Sequence, residues 1–276
     1  MKKIIILLLV SIGLIVGCVP SINSSTPQST LTPPEREKFV RETLLSSSNC
    51  QLPCWWGITP GETTWKDTEE LLHYLGVRIV GVPGYGPNTI LHGAGGFDFE
   101  GISIKNGFSF EETDGVIDAI LINSDGYNKP EEFQTLWTNY SPKKILEMYG
   151  VPDRVWLNVT EAYALGRGYH LWFFYDELGF MIRYPGDVMD APVLRICPVI
   201  KGMRAIDLSL QDLDSPLLLE RFDAILEDIR LETETGKTRV LHSIEDATGM
   251  DEKEFYDIFM QNELTCFDTP QSIWIR

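Results

Sequence analysis

Cysteine is the residue type with the widest chemistry in this sequence, and its five copies are spaced unevenly. Cys18 stands near the N-terminus, Cys50 and Cys54 are close neighbours, and Cys197 and Cys266 lie far downstream. A close cysteine pair can form a thiol redox site, hold zinc or form a structural disulfide. Redox pairs usually have two intervening residues rather than three, and no histidine stands at a ligand-like spacing from a cysteine pair. The spacing therefore favours structural disulfides.

The N-terminus gives Cys18 a different role. Two lysines follow Met1, and residues 4–17 form an apolar stretch that is typical of a signal peptide. The stretch is too short for a transmembrane helix, which needs roughly 20 apolar residues. It ends in Ile15-Val16-Gly17-Cys18, which resembles the lipobox of bacterial lipoproteins. The resemblance implies a diacylglyceryl thioether on Cys18, cleavage before it, and anchoring at the extracytoplasmic side of the cell membrane or outer membrane. The alternatives are a transmembrane anchor and a secreted protein.

The other four cysteines predict two disulfides, because an exported chain folds in an oxidising compartment. Three pairings are possible. We predict Cys50–Cys54, which is local with Pro53 enforcing a turn, and Cys197–Cys266, which ties the C-terminus to the middle of the chain. In the chain-entropy account the long loop stabilises by roughly 4 kcal/mol and the short loop by roughly 2 kcal/mol.

Composition excludes some partners. The net charge is −17, and loss of the two N-terminal lysines with the signal peptide makes it −19. Such an acidic chain repels phosphate backbones, so we predict no nucleic-acid partner. With 43% hydrophobic residues the chain can bury one large core or two small ones.

Motifs for catalysis are incomplete. The segment His92-Gly93-Ala94-Gly95-Gly96 resembles the oxyanion loop of lipases, but the sequence lacks the Gly-x-Ser-x-Gly nucleophile elbow. We interpret residues 83–96 as a glycine-rich loop. Residues 123–128 hint at a calcium loop, but the spacing is wrong and the closing glutamate is missing. We therefore predict no catalytic residue, no metal site and no cofactor.

Two stretches share an order of elements that would position any site. The first has a helix over residues 64–75, ended by Gly76, and then strands. The second has a helix over residues 143–149, capped by Ser141 and ended by Gly150, and then strands that include a hairpin around residues 176–179. We predict an α+β fold of two helix-plus-antiparallel-meander repeats with a smaller, mainly helical C-terminal part.

The turn Ile58-Thr59-Pro60-Gly61-Glu62-Thr63 with its helix, and Tyr149-Gly150-Val151-Pro152-Asp153 after the second helix, resemble the SmpA/OmlA type of outer-membrane assembly lipoproteins and the related beta-lactamase-inhibitor-like tandem repeat. The resemblance spans residues 56–184 and implies a binding or scaffolding module. Glu62 and the residue after Gly76 depart from the family pattern.

The predicted organisation has five parts. The C-terminal part is acidic, and helices are predicted there from residue 216 to 229, from 243 to 249 and from 251 to 261. The boundaries are 1–17 for the signal peptide, 18–35 for a Ser/Thr/Pro tether, 36–128 and 129–200 for the repeats, and 201–276 for the C-terminal part.

Three classes of function remain open. The first is a non-catalytic envelope lipoprotein that binds or scaffolds another envelope protein. The second is a carbohydrate- or ligand-binding surface protein, and the third is a secreted hydrolase of unrecognised type. Coplanar tryptophans open to solvent would favour this second class, whereas buried ones belong to the core. The candidate ligand-binding residues are Trp55, Trp56, Tyr85 and Trp172.

Overall fold

The computed structural model describes residues 30–46, 50–84, 88–95, 97–99, 102–104, 108–162, 166–188, 193–198, 203–214, 240–261 and 266–274. Cys18, the signal peptide, most of the tether, Tyr85 and the helix predicted at residues 216–229 lie outside the described residues.

Helices and strands alternate in groups along the described chain. The helices are α1 (Pro33–Leu45), α2 (Trp65–Tyr74), α3 (Pro130–Leu136), α4 (Pro142–Tyr149), α5 (Ile244–Thr248) and α6 (Glu252–Gln261). The first six strands are β1 (Ile79–Pro83), β2 (Thr89–Ala94), β3 (Phe97–Phe99), β4 (Ile102–Ile104), β5 (Phe108–Thr113) and β6 (Val116–Asp125). The remaining strands are β7 (Arg154–Ala162), β8 (Gly166–Tyr175), β9 (Phe180–Asp187), β10 (Val193–Ile196), β11 (Ala205–Gln211), β12 (Val240–Ser243) and β13 (Phe267–Pro270).

Eleven strands of the described chain form one antiparallel sheet. Its order is β1-β2-β5-β6-β11-β9-β8-β7-β12, with the β3–β4 hairpin beside β6. The strand β11 lies between β6 and β9 and pairs with both. The predicted α+β class is confirmed, because the described helices pack on an antiparallel sheet.

The helices share one face of this sheet. Their buried side chains join one cluster with alternate residues of the strands, such as Phe110, Leu208 and Phe173. The opposite face carries a smaller cluster of Trp172, Phe174 and Met181. The strand β8 is therefore buried on both faces, as its run of apolar residues predicts.

Local signals set the ends of the helices. The Ser141 side chain caps α4 and Gly150 follows it with φ 80°, as predicted. The hairpin between β8 and β9 turns at Gly179, with φ 70°, also as predicted. The helix α1 corrects the predicted end of the tether at residue 35. It begins at Pro33 because Thr32 and Glu35 form a capping box, and proline suits the first turn.

Two further interpretations need correction. The predicted loop over residues 83–96 contains β2, which pairs with β1 on one side and β5 on the other. Backbone pairing on both sides holds this segment extended despite its glycines. The predicted C-terminal part is not a separate helical unit in its described residues, because it supplies β11, β12 and β13 as well as helices.

Both predicted disulfides are present. Cys50 bonds to Cys54, and Cys197 bonds to Cys266. The strands β10 and β13 pair as a separate two-stranded sheet. The second disulfide closes one end of this sheet, because Cys197 follows β10 and Cys266 precedes β13. The first closes a loop that is tied to α4, since the backbone N–H of Leu52 donates to the hydroxyl of Tyr149 at 2.9 Å.

Candidate functional site

The helix α2 presents a row of side chains beside the first strand of the sheet. Thr64 begins the helix, because its hydroxyl accepts the backbone N–H of Asp67 at 3.2 Å and donates to the Asp67 carboxylate at 2.7 Å. Side chains four residues apart lie on the same side of a helix. Trp65, Glu69 and His73 therefore form one row along α2.

A groove lies between this row and β1. Its volume is about 430 Å³. One wall is the row on α2, and the other is the start of β1 with the two residues that lead into it. The lining residues are Trp65, Glu69, His73, Val77, Arg78, Ile79, Gly81 and His92.

His92 forms the floor of the groove and is held on two sides. Its ring stacks on Trp65, with 3.5 Å between centroids and 10° between planes. Its Nε2 lies 2.7 Å from Oε2 of the buried Glu112. A carboxylate only accepts, so Nε2–H donates and the ring is fixed in plane and orientation. The stacking and the hydrogen bond together fix the position of the His92 ring in the groove.

Gly81 keeps the floor open. A Cβ at this position would lie 3.3 Å from Nδ1 of His92 and 3.6 Å from the Ile90 side chain. The first distance is tighter than ordinary van der Waals contact. A larger residue at position 81 would therefore crowd His92 and fill the groove from the strand side.

The strand β1 is an edge of the large sheet, because no strand in the described part of the chain pairs with its outer side. Its inner side forms hydrogen bonds with the β2 segment at alternate residues. The N–H of Gly95 donates to the carbonyl of Arg78, and the N–H of Gly84 donates to the carbonyl of Thr89. Hydrogen-bonded residues alternate along an antiparallel strand. Ile79 and Gly81 therefore point both their N–H and their C=O groups outward. Pro83, which has no N–H, points only its C=O outward.

The same edge exposes apolar side chains. Val80 is 53% exposed, Val82 is 46% exposed and Ile90 on the neighbouring strand is 39% exposed. Edge strands are usually protected by charged side chains, by proline or by a covering segment. Within β1 only Pro83, at its end, gives such protection.

The stretch of chain that forms this edge carries no acidic residue. Residues 71–97 contain no aspartate and no glutamate, although the whole chain has 40. The exposed cation of this stretch is Arg78. The strand β1 is thus uncharged and follows a cation, whereas Glu69 of α2 lines the groove beside it.

The tryptophans predicted to bind ligand lie elsewhere. Trp55 is 1% exposed and stacks between Trp56 and Trp137. Trp172 is 1% exposed on the opposite face of the sheet. By the criterion of exposure these two rings are core, since a buried ring offers no face to a sugar. Trp56 is partly buried against the core and meets Phe39 edge to face.

A second group of titratable side chains lies at the turn between β5 and β6. Burial raises the pKa of Asp118, a hydrogen bond with the Thr113 side chain offsets part of this effect, and the nearby Asp212 and Asp114 raise the pKa further. Its Oδ2 is buried and accepts no hydrogen bond from the described residues. In the described residues no cluster of His, Cys, Asp or Glu has the arrangement of a metal site.

Neither the groove beside Trp65 nor the open edge of β1 was predicted from the sequence. The acid-free stretch at residues 71–97 was the available signal, because it contains β1 and most of the residues that line the groove. The segment that begins at His92 resembles an oxyanion loop in its sequence and was predicted as a loop, whereas His92 lies within β2.

Comparison with known proteins gives no match: no family model, curated protein or solved structure is significantly similar to this chain. None of the described helices is long and apolar enough to cross a membrane.

Proposed function

We propose that this protein is a non-catalytic, lipid-anchored protein of the cell envelope that binds an extended segment of a partner chain along β1. The observation that supports this most strongly is the combination of a groove with a strand edge that no described strand pairs. Ile79 and Gly81 offer outward N–H and C=O groups, and the row on α2 lies next to them.

Strand addition explains why both features occur together. In this mode of recognition the main-chain hydrogen bonds provide affinity, and pockets for alternate side chains provide specificity. A strand added beside β1 would place every second side chain over the helix-bearing face. There the groove between Trp65, Glu69 and Gly81 would receive it.

The chemistry of the edge sets the preferred partner. Val80 and Val82 are exposed on the face away from α2, so an added strand with apolar side chains on that face would cover them. Because residues 71–97 carry no acid, β1 itself does not repel an acidic partner strand, although Glu69 lines the groove beside it.

The lipid anchor and the repeat are parts of the same proposal. The lipobox at Cys18 would hold the groove near a membrane of the envelope. The repeat is supported by the glycines that end α2 and α4, and by the positions of β6 and β9, each the last strand of its meander and each beside β11. A binding or scaffolding role accords with the resemblance to assembly lipoproteins.

A photo-crosslinker at Val82 tests the proposal in the native envelope. The full chain, with p-benzoyl-phenylalanine at position 82, should give a discrete cross-linked protein upon illumination. Val80→Lys in the same chain should reduce this product by at least about fivefold, because a charged edge disfavours an added strand.

Val193→Lys is the matched control, since Val193 is 46% exposed on β10, outside the large sheet. It should leave the product unchanged. A product that Val80→Lys and Val193→Lys affect equally, or no discrete product from position 82, would overturn the proposal.

A further inference from the structure

The outward side of β1 is complementary to itself. In an antiparallel pair of two β1 strands centred on Val80, Ile79 of one copy faces Gly81 of the second, and Gly81 faces Ile79. Both residues have outward N–H and C=O groups, so each facing pair exchanges two hydrogen bonds and the two strands share four. Pro83, which cannot donate, lies beyond these pairs.

The charge around the edge permits this approach. Two mature copies, each of net charge −19, repel each other, but residues 71–97, which include all of β1, contain no aspartate and no glutamate. In the same register Arg78 faces the uncharged Val82 of the second copy. The two exposed Val80 side chains meet on the twofold axis and cover each other.

The place where the chain enters the fold also fits two anchored copies. The backbone N–H of Leu31 donates to the carbonyl of Tyr74 at 2.8 Å, so the N-terminal segment joins the fold at the end of α2. A twofold axis between antiparallel edge strands is perpendicular to the sheet. Both copies therefore present their helices, and both N-terminal segments, on the same side.

The N-terminal segment of each copy is long enough to connect the fold to a membrane on that side. Between Cys18 and Leu31 the chain can span at most about 45 Å when fully extended. Two copies paired through β1 could thus both be anchored in one membrane.

We propose that the partner chain at β1 is a second copy of this protein, paired edge to edge on the membrane surface in the register centred on Val80. This inference rests on the proposed function and names the partner of the same site. Anchoring in one surface raises the effective concentration of the copies, so a short edge that pairs weakly in solution pairs there.

Disulfide trapping of full-length, lipidated protein in phosphatidylcholine vesicles tests the pairing. In the proposed register the two Val80 residues face each other at a non-hydrogen-bonded site, where Cα atoms lie about 4.5 Å apart. That distance is within the range for a disulfide. Val80→Cys should therefore form a dimer under mild oxidation, visible on a non-reducing gel.

Val82→Cys is the matched control, because Val82 is similarly exposed but faces Arg78 of the second copy. We expect the Val80→Cys dimer to form at least about tenfold faster. Equal rates, or no dimer from Val80→Cys, would overturn this inference. If the disulfide dimer is missing but Val80→Lys reduces the photo-crosslink from position 82 as expected, the proposed function stands with a different partner chain. If both signals are missing, both proposals fail.

Discussion

Among single residues, Asp118 has the clearest conflict between its charge and its surroundings. Its carboxylate is partly buried, its Oδ2 accepts no hydrogen bond from the described residues, and Asp212 and Asp114 are close. These causes raise its pKa above the ordinary value of 3.8. The ionised form therefore destabilises the folded state relative to the unfolded chain, where the carboxylate is solvated.

Asp118→Asn should raise the free energy of unfolding at pH 7 by about 0.5 kcal/mol, a small value because solvent screens a partly exposed charge. Below its ordinary pKa the Asp118 carboxyl is protonated in both the folded and the unfolded state. The stability that comes from the neutral carboxyl in the folded state is lost as pH rises through the raised pKa. The difference between the two proteins should therefore vanish near pH 3. Urea titrations at both pH values measure it, and an equal gain at pH 3 would contradict the electrostatic cause.

The pairing of Cys50, Cys54, Cys197 and Cys266 could be predicted from the sequence, whereas the burial of the tryptophans could not. Cys50 and Cys54 could be paired from the sequence because a short separation leaves little choice. Trp55 and Trp172 could not be assigned, because whether an aromatic ring is buried depends on which face of the fold it occupies. The stacking of Trp65 on His92 joins a helix and a strand that the sequence does not show to be neighbours.

At the scale of elements, the two disulfides constrain segments of very different length. Cys197 and Cys266 are 69 residues apart, whereas Cys50 and Cys54 are four apart. Because a cross-link restricts the unfolded chain more when its loop is longer, the long-range disulfide should contribute more stability.

Replacement of both Cys197 and Cys266 by alanine should lower the free energy of unfolding by about 4 kcal/mol. The matched variant, with alanine at Cys50 and Cys54, should lose about 2 kcal/mol. Guanidinium titrations of the two variants and the wild type provide the comparison. A larger loss from the short loop would show that the local turn, rather than the chain entropy, determines the effect.

Helix ends could be predicted where a side chain marks them. Thr64 and Ser141 begin α2 and α4, and Gly150 ends the second of these helices. The capping box at Thr32 and Glu35 carried the same kind of signal for α1 but lies next to a Ser/Thr/Pro stretch that masks it. The strand β2 could not be predicted in this way, because its conformation depends on two neighbouring strands.

For the whole molecule, the lipid anchor remains the prediction with the most direct test. Cys18→Ser should release the protein from membranes or leave an uncleaved precursor, because both acylation and processing require that thiol. Fractionation and the mass of the mature chain distinguish these results from the wild type. Radiolabelled palmitate on the Cys18→Ser protein would contradict the prediction, and Cys54→Ser is a control that should keep the label.

The order of strands is the part of the fold that the sequence did not reveal. The alternation of apolar and polar residues from Ala205 to Leu210 is typical of a strand, but nothing local indicates that this strand lies between β6 and β9. That placement arises from Ile206, Leu208 and Leu210, whose burial joins the two meanders into one core. Long-range burial of this kind is a property of the assembled sheet.

The central place of β11 has a consequence for the timing of folding. The strands β6 and β9 both precede Ala205 in the chain, so each keeps one open edge until β11 docks. Edge strands in that condition are prone to wrong partners, and pairing across long sequence separations is slow. Hairpins can form within each group of strands first, and we expect the two groups to join only when β11 enters between them.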